Sequence, residues 1–449
     1  MSVTKESKFS RGFHTDDDIF NRKPLYDLII RVATKAPDEN LVVALDDKWG
    51  NGKTSFINMM ESEIKINENK DVDFVYFDAF ENDYQSDPFV ALSSKIYTLV
   101  SSNDEGLKSL SRKMLHLGKK VGASFAINGA KFAVSALTGG LVNGTKIEQA
   151  KDAIIESISS PIEGLIESKI KSGEDELYTI EAFRCALSEI AEKRKKKIIF
   201  VIDELDRARP DFALDLLEKV KHIFSVKGFV FLLVMNRSQF EKSIECRYGG
   251  INSRLYLNKF VHYWFTLPKK NHLSDYALKV HDRSTILSYL LHLDRDIKIM
   301  PREGRQIKLL SYLLEANGCS LREAERCYSI FSIMDNPKDF KNYNGEIHKL
   351  VIVLVAFLKI HNQELLDQII FKTIPIDEVF GRLNINGEHL SSLPELKLIS
   401  SAIKYHFATE EDLFRAKDTG IYKAIEGAYG DREYIFESAM AYVEFLHFG

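Results

Sequence analysis

Largely apolar runs punctuate the first part of the chain at 41–45 (LVVAL), 74–77 (FVYF), 198–202 (IIFVI) and 229–235 (FVFLLVM), with 264–268 (WFTLP) as a fifth. Runs this short, without polar alternation, suit strands covered on both faces rather than strands with one wet side. Between them lie stretches of helical period. Ile19, Phe20, Leu25, Leu28, Ile29 and Val32 recur at helical spacing over 18–36, with Pro24 in the first turn, where a missing N–H is tolerated. Turn residues at 37–40 (PDEN) end that helix, and a second helix is expected from Lys53 to about residue 66. Strands alternating with helices predict a parallel sheet with helices on both faces, an α/β fold.

Beyond Pro268 the pattern is helical to the end, an all-α C-terminal region. The run 350–358 (LVIVLVAFL) is too short to span a bilayer and reads as a buried helix. Looser, turn-like sequence at 371–394 separates two helical groups. The expected division is a core at 18–270, a helical lid at 271–340 and a C-terminal helical domain at 341–449. The aromatic, helix-periodic end from Tyr434 onward either docks on the lid or serves as a handle for a partner.

One spacing is out of proportion. A strand–helix unit takes about 30 residues, yet Lys53 and Asp203, with one strand between them, stand 150 apart in the sequence. A helical insertion over about 100–180 is therefore expected. Inside it, 121–142 is a 22-residue stretch with one charge, Lys131, and with many Gly and Ala residues. Its length fits a membrane span, and its small residues fit close helix contact. A lone span would put the two halves of the core on opposite sides of a membrane. Peripheral membrane contact, oligomer contact and plain soluble packing stay open, the last favoured.

The chain has 449 residues, and 61 basic against 65 acidic side chains leave a net charge of −4. No global excess of positive charge marks it for a nucleic-acid backbone or an anionic membrane. The basic run at 192–197 (EKRKKK) is a local exception, read as a solvated turn before a phosphate contact. Cys185, Cys246, Cys319 and Cys327 form no Cys-x-x-Cys pair, and a reduced, cytoplasmic protein is the simplest reading. The N-terminus is polar, with no apolar signal core. His222 is expected to pack on a helix.

The chemistry concentrates at two places. DKWGNGKT, 47–54, nearly matches the phosphate-loop pattern G-x-x-x-x-G-K-[ST], with a strand before it and a helix after. Trp49, Gly50, Asn51, Gly52, Lys53, Thr54 and Ser55 would cradle the phosphates of ATP. Glycines let backbone N–H groups converge, and the helix N-terminus adds its positive end. Lys53 would neutralise phosphate charge, and Thr54 would place its hydroxyl on Mg²⁺. Asp47 replaces the first glycine. The turn is expected to survive because aspartate tolerates positive φ, with the carboxylate turned from the phosphates. At 198–204 an apolar strand ends in Asp203, suited to the Mg²⁺ shell, and Glu204, suited to activating water.

These residues resemble the KAP family of P-loop NTPases. The likeness runs through DKWGNGKTSF (47–56), YFDAFE (76–81), DELDRARPDFALDLLE (203–218), VKHIFSVKGFVFLLVMN (220–236) and YLNKF (256–260), across roughly 18–270. Departures are Asp47 for Gly, Asp78 for Asn, Phe80 for Trp and Glu204 for Asp. The resemblance implies an ATP-hydrolysing core of the broader AAA+-like and STAND-like class, often a switch or an oligomer, and in many bacterial members part of anti-phage defence. Carried over by position, Asn236 is a polar sensor of the γ-phosphate. Arg254 is an arginine finger reaching a neighbouring subunit, with Lys259 as its rival. Arg322, in SLREAER (320–326), resembles the second sensor of the lid. Asp206 and Arg207 are expected to pair and fix the loop. The leading expectation is an ATP-driven switch or assembly factor, as a homo-oligomer or with partner proteins. A nucleotide-holding scaffold without turnover and a nucleic-acid motor are the alternatives.

Overall fold

The computed structural model describes residues 9–35, 41–67, 71–100 except 86, 180–269, 284–300, 304–334 and 346–443, the last with short gaps at 388–389, 391–392, 416–419, 430 and 442. The stretch 121–142 and most of the expected insertion lie outside the described residues, as does 444–449.

Helix α1 (Lys23–Lys35) leads into β1 (Leu41–Asp46), followed by α2 (Lys53–Ile66) and β2 (Val72–Asp78). Helices α3 (Pro88–Val100) and α4 (180–194) flank the insertion. Next come β3 (Lys197–Asp203), α5 (Pro210–Lys219), β4 (Phe229–Met235), α6 (Arg237–Tyr248), α7 (Ser253–Leu257) and β5 (Tyr263–Thr266). The strands form one parallel sheet in the order β2-β3-β4-β1-β5. All five expected strands are present; β1, β2 and β3 run one residue further, to Asp46, Asp78 and Asp203, while β5 begins one residue earlier and ends two earlier than expected.

Alternation along each strand sends side chains to opposite faces. Val42, Ala44, Ile198, Phe200, Ile202, Phe231 and Leu233 join the cluster that covers one face with α3, α4 and α5. Leu41, Val43, Leu45, Ile199, Val201, Leu232 and Val234 join the other, with Tyr26 and Ile29 of α1 and Phe56 and Ile57 of α2. Over β1, β3 and β4 both faces are dry, which is why those strands read as unbroken apolar runs, while the edge strands β2 and β5 are partly exposed.

Helix α1 starts at Lys23, not at residue 18. The Asp18 carboxylate accepts the backbone N–H groups of Arg22 at 2.7 Å and Lys23 at 2.9 Å, so it caps the helix from outside. Pro210 opens α5 at its first turn. After α5 the chain widens into a π-type turn at Val220–Phe224. That turn buries Ile223 and Phe224 and leaves Lys221 and His222 outside, so His222 is exposed rather than packed.

The remaining helices are α8 (Thr285–Ile297), α9 (Arg305–Ala316), α10 (Leu321–Met334), α11 (Glu346–His361), α12 (Gln363–Ile370), α13 (Ile376–Arg382), α14 (Pro394–Phe407), α15 (Gly420–Tyr429) and α16 (Tyr434–Met440), besides short helices at Ala79–Asn82, after β2, and Glu410–Arg415. They share one apolar cluster, centred on α11, whose residues Leu350 to Leu358 are all buried. The looser stretch after residue 371 contributes α13, whose Val379 is fully buried in this same cluster. Ile435, Phe436 and Ala439 seat α16 in it too. No described helix is long and apolar enough to cross a membrane.

Candidate nucleotide site

Parallel strands all end on one side, so their C-terminal tips bring together residues remote in sequence. Asp78 and Asp203 are paired neighbours on β2 and β3, and Asp46 ends β1 opposite Met235 of β4. The loop 47–52 rises from β1 and enters α2 through Gly52.

Gly50 and Gly52 take φ of 80° and 81°, the left-handed region that glycine enters freely. Asp47 is not in that region, so the expectation of a positive φ there is corrected. Its carboxylate instead turns into the loop. One oxygen accepts from the Lys48 N–H at 2.7 Å and from Asn51 Nδ2 at 2.6 Å, and Lys269 closes an ion pair on it. A buried carboxylate thus ties the first turn together from inside.

The N-cap of α2, Gly52, offers no side chain to the first-turn N–H groups of that helix. Uncapped amides and the helix dipole favour an anion there. Lys53 is buried, and its ammonium donates to the carbonyls of Asp47 at 2.6 Å and Lys48 at 3.2 Å. Burial lowers its pKa, against the pull of Asp206, Asp47, Asp203 and Asp46. The Thr54 hydroxyl donates to Asp203 Oδ2 at 2.9 Å, so two residues 149 apart in sequence meet. Tyr76 on β2 reaches the same oxygen at 3.3 Å, and the Glu204 N–H donates to the other at 2.8 Å. Burial raises the Asp203 pKa, opposed by those N–H and hydroxyl donors.

Glu204 leaves the strand at φ 54°. Its carboxylate accepts from Arg207 at 2.8 Å, a reach of one helical turn. Arg207 thus pairs with Glu204 and not with Asp206, which accepts the indole N–H of Trp49 instead. Burial raises the Glu204 pKa while Arg207 lowers it.

A cavity of about 1020 Å³ opens over these groups, lined by Trp49, Lys53, Thr54, Ser55, Asp203 and Glu204 from the sheet side. Arg322, Tyr289, His292 and Arg295 line it from the helical side. The start of α10 docks directly on the loop. The Leu321 N–H donates to Asn51 Oδ1 at 3.2 Å, the Arg322 N–H to the Gly50 carbonyl at 3.2 Å, and Lys48 Nζ to the Gly318 carbonyl at 3.0 Å. Two amides of the α10 terminus are therefore satisfied by the loop itself.

Two of the expected site residues lie outside this cavity. Asn236 sits buried at the tip of β4, between the tips of β1 and β3, and its side-chain oxygen accepts from Ser238 at 2.9 Å. It is not among the residues lining the cavity. Arg254 is exposed on α7, outside the cavity. Lys259 lines a different hollow, with Leu41, Val42 and Tyr263 at the strands' N-terminal ends, so it faces the opposite end of the sheet. Part of the basic run at 192–197 is committed internally: Arg194 and Lys196 both face Asp73.

Sequence reasoning missed Arg22. Its guanidinium is buried and donates to the carbonyls of Asn51 at 2.9 Å and Gly52 at 3.1 Å, bracing the loop from behind. Burial lowers its pKa to about 10, opposed by Asp47 and Asp18. Lys269 was missed as well. Neither carries a motif, and the only signal was the loop's need for donors to its inward-facing oxygens.

The KAP family P-loop domain matches residues 22–349. No curated protein matches this chain significantly. Solved structures similar to it include the Aeropyrum pernix ORC2 protein in its ADPNP–ADP complexes, at 10% identity and TM-score 0.37, covering 95% of this chain and 94% of that one. Cdc6p from Pyrobaculum aerophilum is similar at 12% identity and TM-score 0.39, covering 96% and 89%.

Proposed function

The chain belongs to the KAP family of P-loop domains, and from that premise we propose that it is an ATP-hydrolysing switch or assembly ATPase working with Mg²⁺. The observation that carries this reading is the meeting of Thr54 and Asp203 at the foot of an uncapped helix. A hydroxyl and a carboxylate are hard oxygen donors of the kind Mg²⁺ takes, and Mg²⁺ keeps its remaining positions for water and phosphate. Such a metal, when bound, would neutralise charge developing on the phosphates.

The chain's own residues account for the rest. Residues 50–55 offer backbone N–H groups and a helix N-terminus to the phosphate oxygens. Lys53, held by two loop carbonyls, exchanges those partners for phosphate oxygens. Glu204 accepts a proton from the attacking water, and its raised pKa suits a base working nearer neutrality. Arg322 reports occupancy, because its own N–H is bonded to Gly50 while its side chain lines the cavity. A change at the loop therefore displaces the start of α10, and the shared apolar cluster carries that displacement through the helical half.

Arg254 would act on a neighbouring subunit in a homo-oligomer, a reading supported by its exposure outside its own cavity. Bacterial anti-phage defence is the setting we propose, on family resemblance. A scaffold that holds nucleotide without turnover is the competing reading, favoured by the way Lys53 and Glu204 are already paired within the chain. ATP turnover per chain measured against protein concentration separates the two. Turnover that rises with concentration, and loses that rise in Arg254→Ala, supports the switch with an arginine supplied between subunits. Zero turnover at every concentration, with nucleotide still bound, establishes the scaffold.

A further inference from the structure

Three side chains converge between α10 and α11, outside the nucleotide cavity. Cys319 precedes α10, Glu323 lies in its first turn, and His361 ends α11. Cys319 Sγ stands 3.3 Å from His361 Nδ1, and Glu323 Oε1 stands 3.5 Å from the same nitrogen. The three donor atoms lie within 4.8 Å of one another.

We propose that Cys319, Glu323 and His361 form a three-ligand site for Zn²⁺ or a similar borderline divalent metal, with a fourth position open to water. Tetrahedral Zn²⁺ with a Zn–S bond of ~2.3 Å and Zn–N and Zn–O bonds of ~2.0 Å sets sulfur and nitrogen about 3.5 Å apart, and nitrogen and oxygen about 3.3 Å. The two observed separations fall within a few tenths of an ångström of those values. Thiolate, imidazole and carboxylate together suit Zn²⁺ rather than Mg²⁺ or Ca²⁺, which prefer oxygen alone.

The ligands are also held in place. Glu323 spends its other oxygen, Oε2, on the Ser320 N–H at 2.7 Å and the Ser320 hydroxyl at 2.8 Å, a capping box that leaves Oε1 aimed at His361. The His361 ring stacks on Phe357 with centroids 5.1 Å apart. The Cys319 N–H is bonded to the Leu314 carbonyl at 2.8 Å. Cys319 is buried while His361 is exposed, so one side of the site is open for a metal and its water to enter.

The consequence is positional. Gly318, beside Cys319, accepts from Lys48, and Leu321 and Arg322 donate to the phosphate loop. A metal here would staple the loop-docking end of α10 to the end of α11. Binding would thus stiffen the lid's seat without touching nucleotide.

The test is a titration of the metal-stripped full chain with Co²⁺, followed by Zn²⁺. The expected result is one Co²⁺ per chain, with a thiolate-to-cobalt charge-transfer band and the strong visible bands of a tetrahedral ion, displaced by an equivalent of Zn²⁺. Cys319→Ser should abolish the charge-transfer band, His361→Ala should weaken binding at least tenfold, and Cys246→Ser should change nothing. No charge-transfer band in the unaltered chain overturns the proposal, as does a band that survives Cys319→Ser. Should Cys319→Ser fail to fold, His361→Ala at its exposed position decides alone, and unchanged affinity there is equally fatal. A cluster held only by hydrogen bonds gives the negative result in each arm.

Discussion

In the α/β half, buried side chains divide into two clusters, one on each face of the sheet, while the helical half holds a single cluster around α11. The difference decides where chemistry can sit. The centre of a sheet covered on both faces has no wet side, so polar groups collect at the strand tips, where Asp46, Asp78, Asp203 and Glu204 lie. A helical bundle has no such edge, and the polar groups it buries, such as Asp294 with Tyr328 and His348 with Tyr429, are scattered and bonded within the bundle rather than gathered at one place. Its contribution to the cavity comes from α8 and from the first two turns of α10. The sheet half supplies the reactive groups, and the helical half supplies one terminus that feels them.

The division is broken most severely at the strand tips. Glu204→Gln keeps the size of the side chain and removes the base, and turnover should fall about 10²–10⁴-fold with nucleotide affinity retained. Lys53→Ala removes a phosphate partner, so turnover should fall about 10²–10³-fold and affinity should fall with it. Single-turnover hydrolysis and equilibrium nucleotide binding, measured together, separate the two. Undiminished turnover in both variants would remove these residues from the chemistry.

Bracing of the loop comes next. Arg22→Met keeps an apolar stem but removes the guanidinium, which lies over the Phe20 ring, and so leaves the Asn51 and Gly52 carbonyls without their cationic donor. Hydrogen bonds from a charged group are each worth about 1.5–3 kcal/mol, and partial access of water should limit the loss to about 2–3 kcal/mol. A denaturation midpoint that does not move would show that the guanidinium braces nothing.

Gly50→Ala strikes the seam between the halves. The residue sits at φ 80°, and an added Cβ would come within 2.6 Å of Arg322 Cβ. Strain at such a backbone position costs about 1–3 kcal/mol. The nearest clash is with the first turn of α10, so the variant should lose part of this in stability and the rest as a displaced lid. Faster protease cleavage or hydrogen exchange near residues 318–322, without matching loosening of the sheet, is the expected signature. Uniform loosening of both halves would mean that the seam is no seam.

The same contrast explains what could be read in the chain beforehand. All five strands and α2 were visible, because a strand dry on both faces is a run of apolar residues and because the loop pattern sets its own helix. The meeting of Thr54 with Asp203 followed from the loop after β1 and the tip of β3 lying at the same end of one parallel sheet. Contacts that run through backbone oxygens or backbone N–H groups were invisible. Arg22 to Asn51, and Leu321 to Asn51 across 270 residues, answer a carbonyl or an amide oxygen whose direction depends on the folded turn. Asp47 shows the limit within the motif itself. Its residue type was noticed, but the lysine that neutralises it, Lys269, lies 222 positions on and carries no pattern. Asn236 was carried over by position in a motif, which locates a strand tip but not the direction a side chain takes from it.

The smallest expected effect is a displacement of the pH profile on replacing Arg207. Burial holds the Glu204 carboxyl above the usual range, Asp78 and Asp203 push it the same way, and Arg207 opposes them by charge and hydrogen bond. A general base must be ionised, so turnover should rise with pH as Glu204 loses its proton. Arg207→Gln removes the group that favours the charged form, the carboxyl pKa should rise, and the acidic limb should move to higher pH. Above that limb, where Glu204 is ionised in both proteins, the two rates should converge. Arg207→Lys keeps the charge and should restore most of the original position. A limb that stays put in Arg207→Gln, or moves toward acid, would mean that another group sets it, and Glu204 would then lose its assignment as the base.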